Sequence, residues 1–183
     1  MSTILEVLTR EQAPAAAQPT FDGLRGKLGF VPNLYATFAH SAPALNGSIG
    51  FGAALAQGQF SGREIETIYL AASEANNCDY CIAAHTTVGK LQGLTDEEAF
   101  ALRTASSTNP NLNALAALTI SVVETKGRPA AHLLDQFFVA GYNKAALVEL
   151  IGFVAVNTFN NYVQHIAEVA IDWPAVQPLV AVV

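Results

Sequence analysis

Residues 61–85 read SGREIETIYLAASEANNCDYCIAAH, and this stretch decides the fold. Ser61, followed three residues later by Glu64, forms a capping box, a pattern with which helices begin. Four apolar side chains then recur at the helical spacing i, i+3, i+4, i+7: Ile65, Ile68, Tyr69 and Ala72. Residues 74–77 predict a turn, and a second helix is expected from about Asp79 to Gln92, where Gly93 stops it. The stretch therefore predicts two helices packed as an antiparallel hairpin.

The rest of the chain also predicts helices. They are expected over residues 21–28, 34–40, 43–57, 111–126, 130–140 and 143–171, with a further helix opened by a second capping box at 95–98. Asn33 is expected to cap the second of them, and Gly58 to close the third. Residues 3–8 carry only a weak strand pattern. The prediction is one all-α domain over residues 1–183, a helical bundle with its motif core at 61–92.

Composition excludes several classes of protein. Of 183 residues, 51% are apolar and 13% are charged, against about 25% charged in ordinary soluble domains, so the chain is not intrinsically disordered. A net charge of −6 without a basic run disfavours nucleic-acid binding. With a mean hydropathy of +0.31 and few charges to cover a surface, we expect apolar area to be buried between subunits of a homo-oligomer.

No export signal or membrane segment is predicted. The first ten residues lack a basic region followed by a long apolar one, and the most apolar stretch, residues 151–159, is shorter than the roughly 20 residues of a spanning helix. The expected location is the cytoplasm. In that reducing compartment, two cysteines indicate catalysis or metal binding more than a structural bridge.

The reactive residues lie together at the start of the second hairpin helix. Cys78 and Cys81 are the only cysteines of the chain, and their Cys-x-x-Cys spacing can close a small disulfide ring. Free backbone N–H groups and the helix dipole at this position stabilise a thiolate, which is the reactive form of cysteine.

The sequence spacing places two further candidate site residues, His85 and Glu66, near the cysteines. Cys78, Cys81 and His85 fall at i, i+3 and i+7 on one stripe of the helix, where an imidazole can pass protons to and from sulfur. Glu66 lies about as far before the turn as His85 lies after it. Antiparallel packing would set the two at similar height, with the carboxylate orienting the imidazole. These parts predict thiol redox chemistry, in which one cysteine is oxidised to a sulfenic acid, the second condenses with it, and an external thiol reduces the disulfide.

The pattern Glu-x11-Cys-x2-Cys-x3-His resembles the signature of the alkylhydroperoxidase D and carboxymuconolactone decarboxylase family. The segments LGFVPN (28–33), AHSAP (39–43) and Asn161-Tyr-x2-His165 resemble its peroxidase-related branch. The resemblance covers residues 25–170 and implies an all-helical fold of the alkylhydroperoxidase D type, assembled as a dimer, trimer or hexamer.

The resemblance also implies roles for the site residues. Cys81 becomes the peroxidatic cysteine, Cys78 its resolving partner, and Glu66 and His85 the proton relay. The enzyme would reduce hydroperoxides with an external dithiol or a reductant protein, and would need no cofactor beyond the cysteine pair. The family motif has a histidine immediately before its second cysteine, whereas this chain has Tyr80. With an ordinary pKa of about 10, a tyrosine does not relay protons near pH 7, so Tyr80 is predicted to line the substrate pocket.

Other interpretations of the same residues stay open. The cysteines can be inert core residues, or they can bind zinc with His85 and a fourth ligand among His40, His132 and His165. A zinc-binding or redox-sensing module and a decarboxylase or lyase acting on a small acid are the alternative functions. The polar line Asn157, Asn161 and His165 indicates either a hydrogen-bonded interface or a second wall of the pocket.

Overall fold

Nine α-helices form the part of the chain that the computed structural model describes, residues 4–179. Their bounds are α1 Gln18–Leu28, α2 Asn33–Phe38, α3 Ala42–Leu55, α4 Gly62–Ala75, α5 Asp79–Leu91, α6 Asp96–Leu102, α7 Pro110–Glu124, α8 Ala131–Val139 and α9 Lys144–Ala167. No strand occurs in the same range, so the weak strand pattern is wrong over residues 4–8; Thr3 lies outside the described residues. The all-helical class predicted from the sequence is confirmed.

Local signals start most of the helices. Both predicted capping boxes are formed: Ser61 with Glu64 at α4, and Thr95 with Glu98 at α6. In each, the hydroxyl of the cap residue accepts a hydrogen bond from the third backbone N–H of the helix, and the glutamate carboxylate accepts one from the backbone N–H of the cap residue. Two backbone donors at the helix start are thereby satisfied. The two capping boxes therefore fix where α4 begins and where α6 begins, on either side of the α4–α5 hairpin.

Helix α4 lies at the centre of the bundle. It packs against α5, α7 and α9, and the middle of its sequence, from Glu66 to Ser73, is almost entirely buried. Ile68 joins the cluster formed with α7, α8 and α9, whereas Leu70 and Ala71 pack towards α6 and α7. Because α4 is held on several sides, the residues it presents to α5 are fixed in place.

Among the boundaries that differ from the prediction, three are informative. The second helix begins at Asn33 with Pro32 before it, so Asn33 does not act as the cap. The third ends at Leu55, before Gly58. The last helix ends at Ala167 rather than at residue 171, because Glu168 adopts a left-handed conformation with φ of 47° and turns the chain. Residues 169–173 then run back over α2 and α5, which matters for the site.

Helix α9 is long and apolar enough to cross a membrane by length and composition alone. In this fold it packs against α2, α3, α4, α5 and α7 instead, as a core helix of a bundle does. Its outer face leaves large apolar side chains exposed: Val148, Ile151, Phe159, Tyr162 and Ile166.

Candidate active site

The cysteine pair lies where α5 begins. Asn77, with φ of 55°, turns the chain out of the hairpin loop, and Cys78 becomes the N-cap of α5. Its Sγ accepts a hydrogen bond from the backbone N–H of Cys81 at 3.4 Å. The two cysteines are joined as a disulfide with Cα atoms 5.3 Å apart. The predicted redox pair is therefore in bonding contact, at a helix N-terminus that stabilises negative charge on sulfur.

Glu66 and His85 meet across the hairpin. Nδ1 of His85 lies 2.9 Å from Oε2 of Glu66, and the two side chains are 19% and 9% exposed. A carboxylate only accepts hydrogen bonds, so Nδ1 carries the hydrogen, and Nε2 of the neutral imidazole is left as the base. The carboxylate thus fixes the tautomer and stabilises the imidazolium that forms when Nε2 takes up a proton.

Two neighbours hold this pair in place. The ring of Tyr69 stacks on His85 with centroids 4.4 Å apart, and burial raises the pKa of Tyr69 far above its ordinary value. Gly89 lies one turn beyond His85, where a Cβ would sit 2.9 Å from Leu94 and 3.6 Å from Cβ of Glu66. The missing side chain leaves room for Leu94, whereas the distance to Glu66 would be an ordinary van der Waals contact.

A cavity of about 310 Å³ joins these groups. Cys81, His85 and Glu66 line it, and most of the remaining wall is apolar or aromatic: Leu28, Leu34, Tyr35, Tyr69, Tyr80, Val88 and Trp173. Burial, with a smaller effect of the Glu66 charge, raises the pKa of Tyr35 to about 12. The tyrosine hydroxyls in this wall are therefore neutral at physiological pH, and the imidazole is the group suited to moving a proton.

Tyr80 connects the redox motif to the returning C-terminal segment. Its hydroxyl donates to Asp172 at 2.6 Å and accepts from the backbone N–H of Leu34 at 3.2 Å. Asp172 also accepts from the N–H of Asn33 at 2.8 Å. Burial and the bond to Asp172 raise the pKa of Tyr80. Tyr80 lines the cavity and also holds the segment that closes it.

Three residues around the cavity were missed by sequence reasoning. Tyr35, Asp172 and Trp173 sit far from the Cys-x-x-Cys in sequence, and none belongs to a motif. Trp173 packs edge-on against Phe30, with ring centroids 5.1 Å apart. Only the unexpected end of α9 at Ala167 brings Asp172 and Trp173 to the site, and no signal in the sequence marked it.

The three polar side chains predicted to form a line on α9, Asn157, Asn161 and His165, have different surroundings. Asn157 is fully buried and donates to the carbonyl of Tyr69 at 3.1 Å and to Ser73 at 3.0 Å. Asn161 accepts from Asn76 at 2.8 Å. These bonds join α9 to the hairpin, and Asn157 also lines the cavity. His165 is exposed and lines a separate groove beside Cys78.

Nothing in residues 4–179 has the arrangement of a metal centre. No group of three or more His, Cys, Asp or Glu side chains in that range is placed to hold an ion, and both sulfurs are bonded to each other. Of the histidines suggested as a fourth zinc ligand, His40 bonds the carbonyl of Glu6 and His165 that of Asn77.

A larger cavity of about 660 Å³ lies between α5, α6 and residues 174–177, and neither cysteine nor histidine lines it. Its buried cation, Arg103, is already paired with Glu74 at 2.6 Å and with the carbonyl of Gln177 at 2.7 Å. The smaller cavity, which contains the sulfur, the imidazole and the carboxylate, is therefore the candidate active site.

Comparison with known proteins agrees with the all-helical fold described above. Residues 42–121 match the sequence model of the carboxymuconolactone decarboxylase family. Over this segment the chain resembles that family. The matched segment includes the whole α4–α5 hairpin, so the family region contains the redox motif. A search of curated protein sequences found no significant match.

Solved structures share the fold of this chain at low sequence identity. The debrominase Bmp8 is 19% identical, covers 94% of both chains and has a TM-score of 0.80. The alkylhydroperoxidase AhpD core protein of Ralstonia eutropha JMP134, described as peroxidase-related, is 19% identical over 91% of this chain and 90% of its own, with a TM-score of 0.80. A peroxidase-related protein of Silicibacter sp. TM1040 is 17% identical over 91% and 92%, with a TM-score of 0.76. At these identities the likeness shows the alkylhydroperoxidase-like fold and leaves the reaction open.

Proposed function

We propose that this protein is a thiol-dependent peroxidase that reduces organic hydroperoxides through its Cys78–Cys81 pair. The observation that carries the proposal is the shared cavity: one sulfur of a redox pair, Cys81, opens into the same apolar space as His85, whose tautomer Glu66 fixes. A nucleophile, a proton carrier and a substrate site are the parts that hydroperoxide reduction needs.

The reaction begins from the reduced pair. The thiolate of Cys81 attacks the terminal oxygen of R–O–OH, the O–O bond breaks, and Cys81 becomes a sulfenic acid. The leaving alkoxide takes a proton from the imidazolium of His85 and departs as the alcohol. Cys78 then attacks the sulfur of Cys81, and the displaced hydroxide leaves as water with a proton returned through His85. The hydroperoxide gains two electrons and the cysteine pair loses two as its disulfide forms.

The cavity wall selects the class of hydroperoxide. An aromatic and aliphatic lining of about 310 Å³ favours a substrate with an apolar body, whereas hydrogen peroxide gains nothing from that surface. We therefore expect a higher kcat/KM for cumene hydroperoxide than for hydrogen peroxide.

The proposal is tested by following hydroperoxide consumption with dithiothreitol as the reductant. Consumption is expected only when the dithiol is present, and Cys81→Ser should abolish it. Cys78→Ser should stop after one turnover at the sulfenic acid, which dimedone traps as a mass increase on Cys81. Full activity of Cys81→Ser would refute the assignment. Turnover of a small acid that survives loss of both cysteines would instead support a decarboxylase or lyase.

A second candidate reaction is reductive dehalogenation of an aromatic ring. The debrominase Bmp8 shares the fold and has been crystallised with 2,3,4-tribromopyrrole, and the aromatic wall here suits a flat ring. Cys81 would take bromine from carbon as a sulfenyl bromide while the ring carbon gains a proton. Attack by Cys78 would then release bromide and form the disulfide. Bromide release from 2,3,4-tribromopyrrole under single-turnover conditions distinguishes this reaction from hydroperoxide reduction.

The expectation of a homo-oligomer becomes a proposal supported by α9. Its exposed apolar side chains, Val148, Ile151 and Ile166 among them, form a face that water disfavours and a second copy of the chain would cover. Light scattering after size exclusion should give a multiple of the 19.3 kDa chain mass. Ile151→Lys should shift the mass towards the monomer, and an unchanged monomeric mass in both proteins would refute the proposal.

A further inference from the structure

The Cys78–Cys81 disulfide is reached from two separate spaces. Cys81 lines the apolar cavity and Cys78 does not. Cys78 lines an outer groove of about 360 Å³ with Asn77, Asp79, His165, Glu168 and Ile171, and Cys81 does not. Both cysteines are at most 3% exposed, so each sulfur is open only to what enters its own space.

This division has a chemical consequence. A thiolate attacks a disulfide in line with the S–S bond and expels the far sulfur, so the space through which it enters decides which cysteine it meets. A thiol in the cavity would meet Cys81, and a thiol in the groove would meet Cys78.

We infer that the external reductant, a neutral or cationic dithiol, enters through this groove and attacks Cys78, with His165 as its general base. The inference rests on the proposed thiol-dependent function and names its reductant site. Substrate and reductant then use different entrances to one disulfide.

His165 is placed for this role by its bond to the loop. Nε2 of His165 lies 3.3 Å from the carbonyl oxygen of Asn77, the residue before Cys78. A carbonyl only accepts, so Nε2 carries the hydrogen, and Nδ1 of the neutral ring is the free base. That nitrogen can take the proton of an incoming thiol and so generate the attacking thiolate.

The thiol–disulfide exchange releases Cys81 first and Cys78 second. The first thiolate of the reductant bonds to Cys78 and breaks the S–S bond, and Cys81 leaves as a thiolate into the substrate cavity beside His85. The second thiolate of the reductant attacks its own partner sulfur in the mixed disulfide and expels Cys78, whose thiolate is stabilised by the N–H of Cys81 at 3.4 Å. The dithiol loses two electrons and becomes a cyclic disulfide, and the cysteine pair gains them.

The charge of the groove limits the class of reductant. Asp79 and Glu168 contribute carboxylates, and none of the lysines and arginines in residues 4–179 lines the groove. An anionic thiol is repelled here, whereas a neutral or cationic one is not. The slight exposure of Cys78 also favours a thiol carried on a slender, unbranched chain.

The experiment measures reduction of the oxidised protein alone, without any peroxide, so it does not depend on the proposed substrate. The oxidised protein is mixed with dithiothreitol, quenched and alkylated, and free cysteines are counted by mass. Ile171→Trp, which fills the groove, should slow reduction, and His165→Gln, which removes the base, should slow it by roughly 100-fold or more. Ala84→Leu, which fills the cavity, should leave reduction within about twofold while it slows oxidation by hydroperoxide. His132→Gln, at an exposed histidine on α8, is the matched control.

The second part of the experiment compares reduction by an anionic thiol with reduction by a neutral one. Asp79→Asn should speed reduction by the anion 2-mercaptoethanesulfonate about threefold and leave reduction by neutral 2-mercaptoethanol unchanged. Slower reduction in Ala84→Leu together with unchanged rates in Ile171→Trp and His165→Gln would show that the reductant uses the cavity and would overturn the inference. Failure of the protein to reduce any hydroperoxide would refute the proposed function but leave this reduction assay decisive.

Discussion

Replacing Glu66 by glutamine isolates the contribution of its charge to the relay. Glutamine is nearly isosteric, and its carbonyl oxygen can still accept the Nδ1–H of His85 across the 2.9 Å contact. The variant therefore keeps the tautomer and the packing of α4 against α5. What it loses is the negative charge opposite the imidazolium that forms during the reaction.

The expected magnitude follows from burial. The two side chains are 9% and 19% exposed, so water screens the pair only weakly. Hydrogen bonds to charged groups contribute about 1.5–3 kcal/mol and neutral ones about 0.5–1.5 kcal/mol, so the substitution removes roughly 1–1.5 kcal/mol from the imidazolium state. Since about 1.4 kcal/mol corresponds to a factor of ten in rate, the oxidation step should slow by about tenfold.

The assay is single-turnover oxidation of the reduced protein by cumene hydroperoxide, followed by thiol counting. Glu97→Gln, an exposed glutamate of α6 outside the cavity, controls for the loss of one negative charge. A Glu66→Gln rate within twofold of the unmodified protein would refute a role for the carboxylate in proton transfer. A cooperative thermal unfolding transition in both variants confirms that the comparison is made on folded protein.

Three further predictions concern the structure around the site. Tyr80→Phe removes the hydroxyl that joins Asp172 to α2 and should lower the free energy of unfolding by about 1–3 kcal/mol, measured by urea denaturation; an unchanged midpoint would contradict the bond network. Gly89→Ala places a Cβ 2.9 Å from Cδ1 of Leu94, a contact that this flexible side chain relieves by shifting and that offsets the gain of about 1 kcal/mol in helix propensity over glycine, so the free energy of unfolding should stay within about 1 kcal/mol of the parent; a larger loss would show that Leu94 cannot move. Because burial raises the pKa of Tyr35 to about 12, the unfolded chain loses this proton first. The contribution of Tyr35 to stability should therefore fall as pH rises from 10 to 12, by at most about 1.4 kcal/mol per pH unit, in addition to the contributions of Tyr69 and Tyr80, whose pKa values burial also raises; Tyr35→Phe should reduce the slope by the share of this one group.

Much of the fold could be predicted because its signals are local. A capping box needs only residues three apart, and the period of apolar side chains along α4 needs only a few turns of helix. The hairpin and its redox pair followed from one 25-residue stretch, since residues joined by a short turn have little freedom in how they pack. Glu66 and His85 were predicted to meet on this ground, and the structure brings them within hydrogen-bonding distance.

The boundaries that failed depended on distant contacts. Nothing near Glu168 in sequence marks it as a helix stop, and a left-handed conformation there is unusual for a residue other than glycine. The following segment is held instead by Asp172, which bonds Tyr80 and the backbone of Asn33 from more than 90 residues away. Tertiary bonds of this kind override the local preference for helix.

The sequence by itself determined the reactive groups: a Cys-x-x-Cys at a helix start, with an imidazole and a carboxylate brought near it by a short hairpin. Only the tertiary structure decided what surrounds that chemistry, because walls and entrances are made by side chains from α1, α2, α9 and the returning C-terminal segment. It placed Cys81 in an apolar cavity and Cys78 in an outer groove. Neighbouring residues on a helix can face different spaces, and which space each one meets is set by the packing of the whole chain.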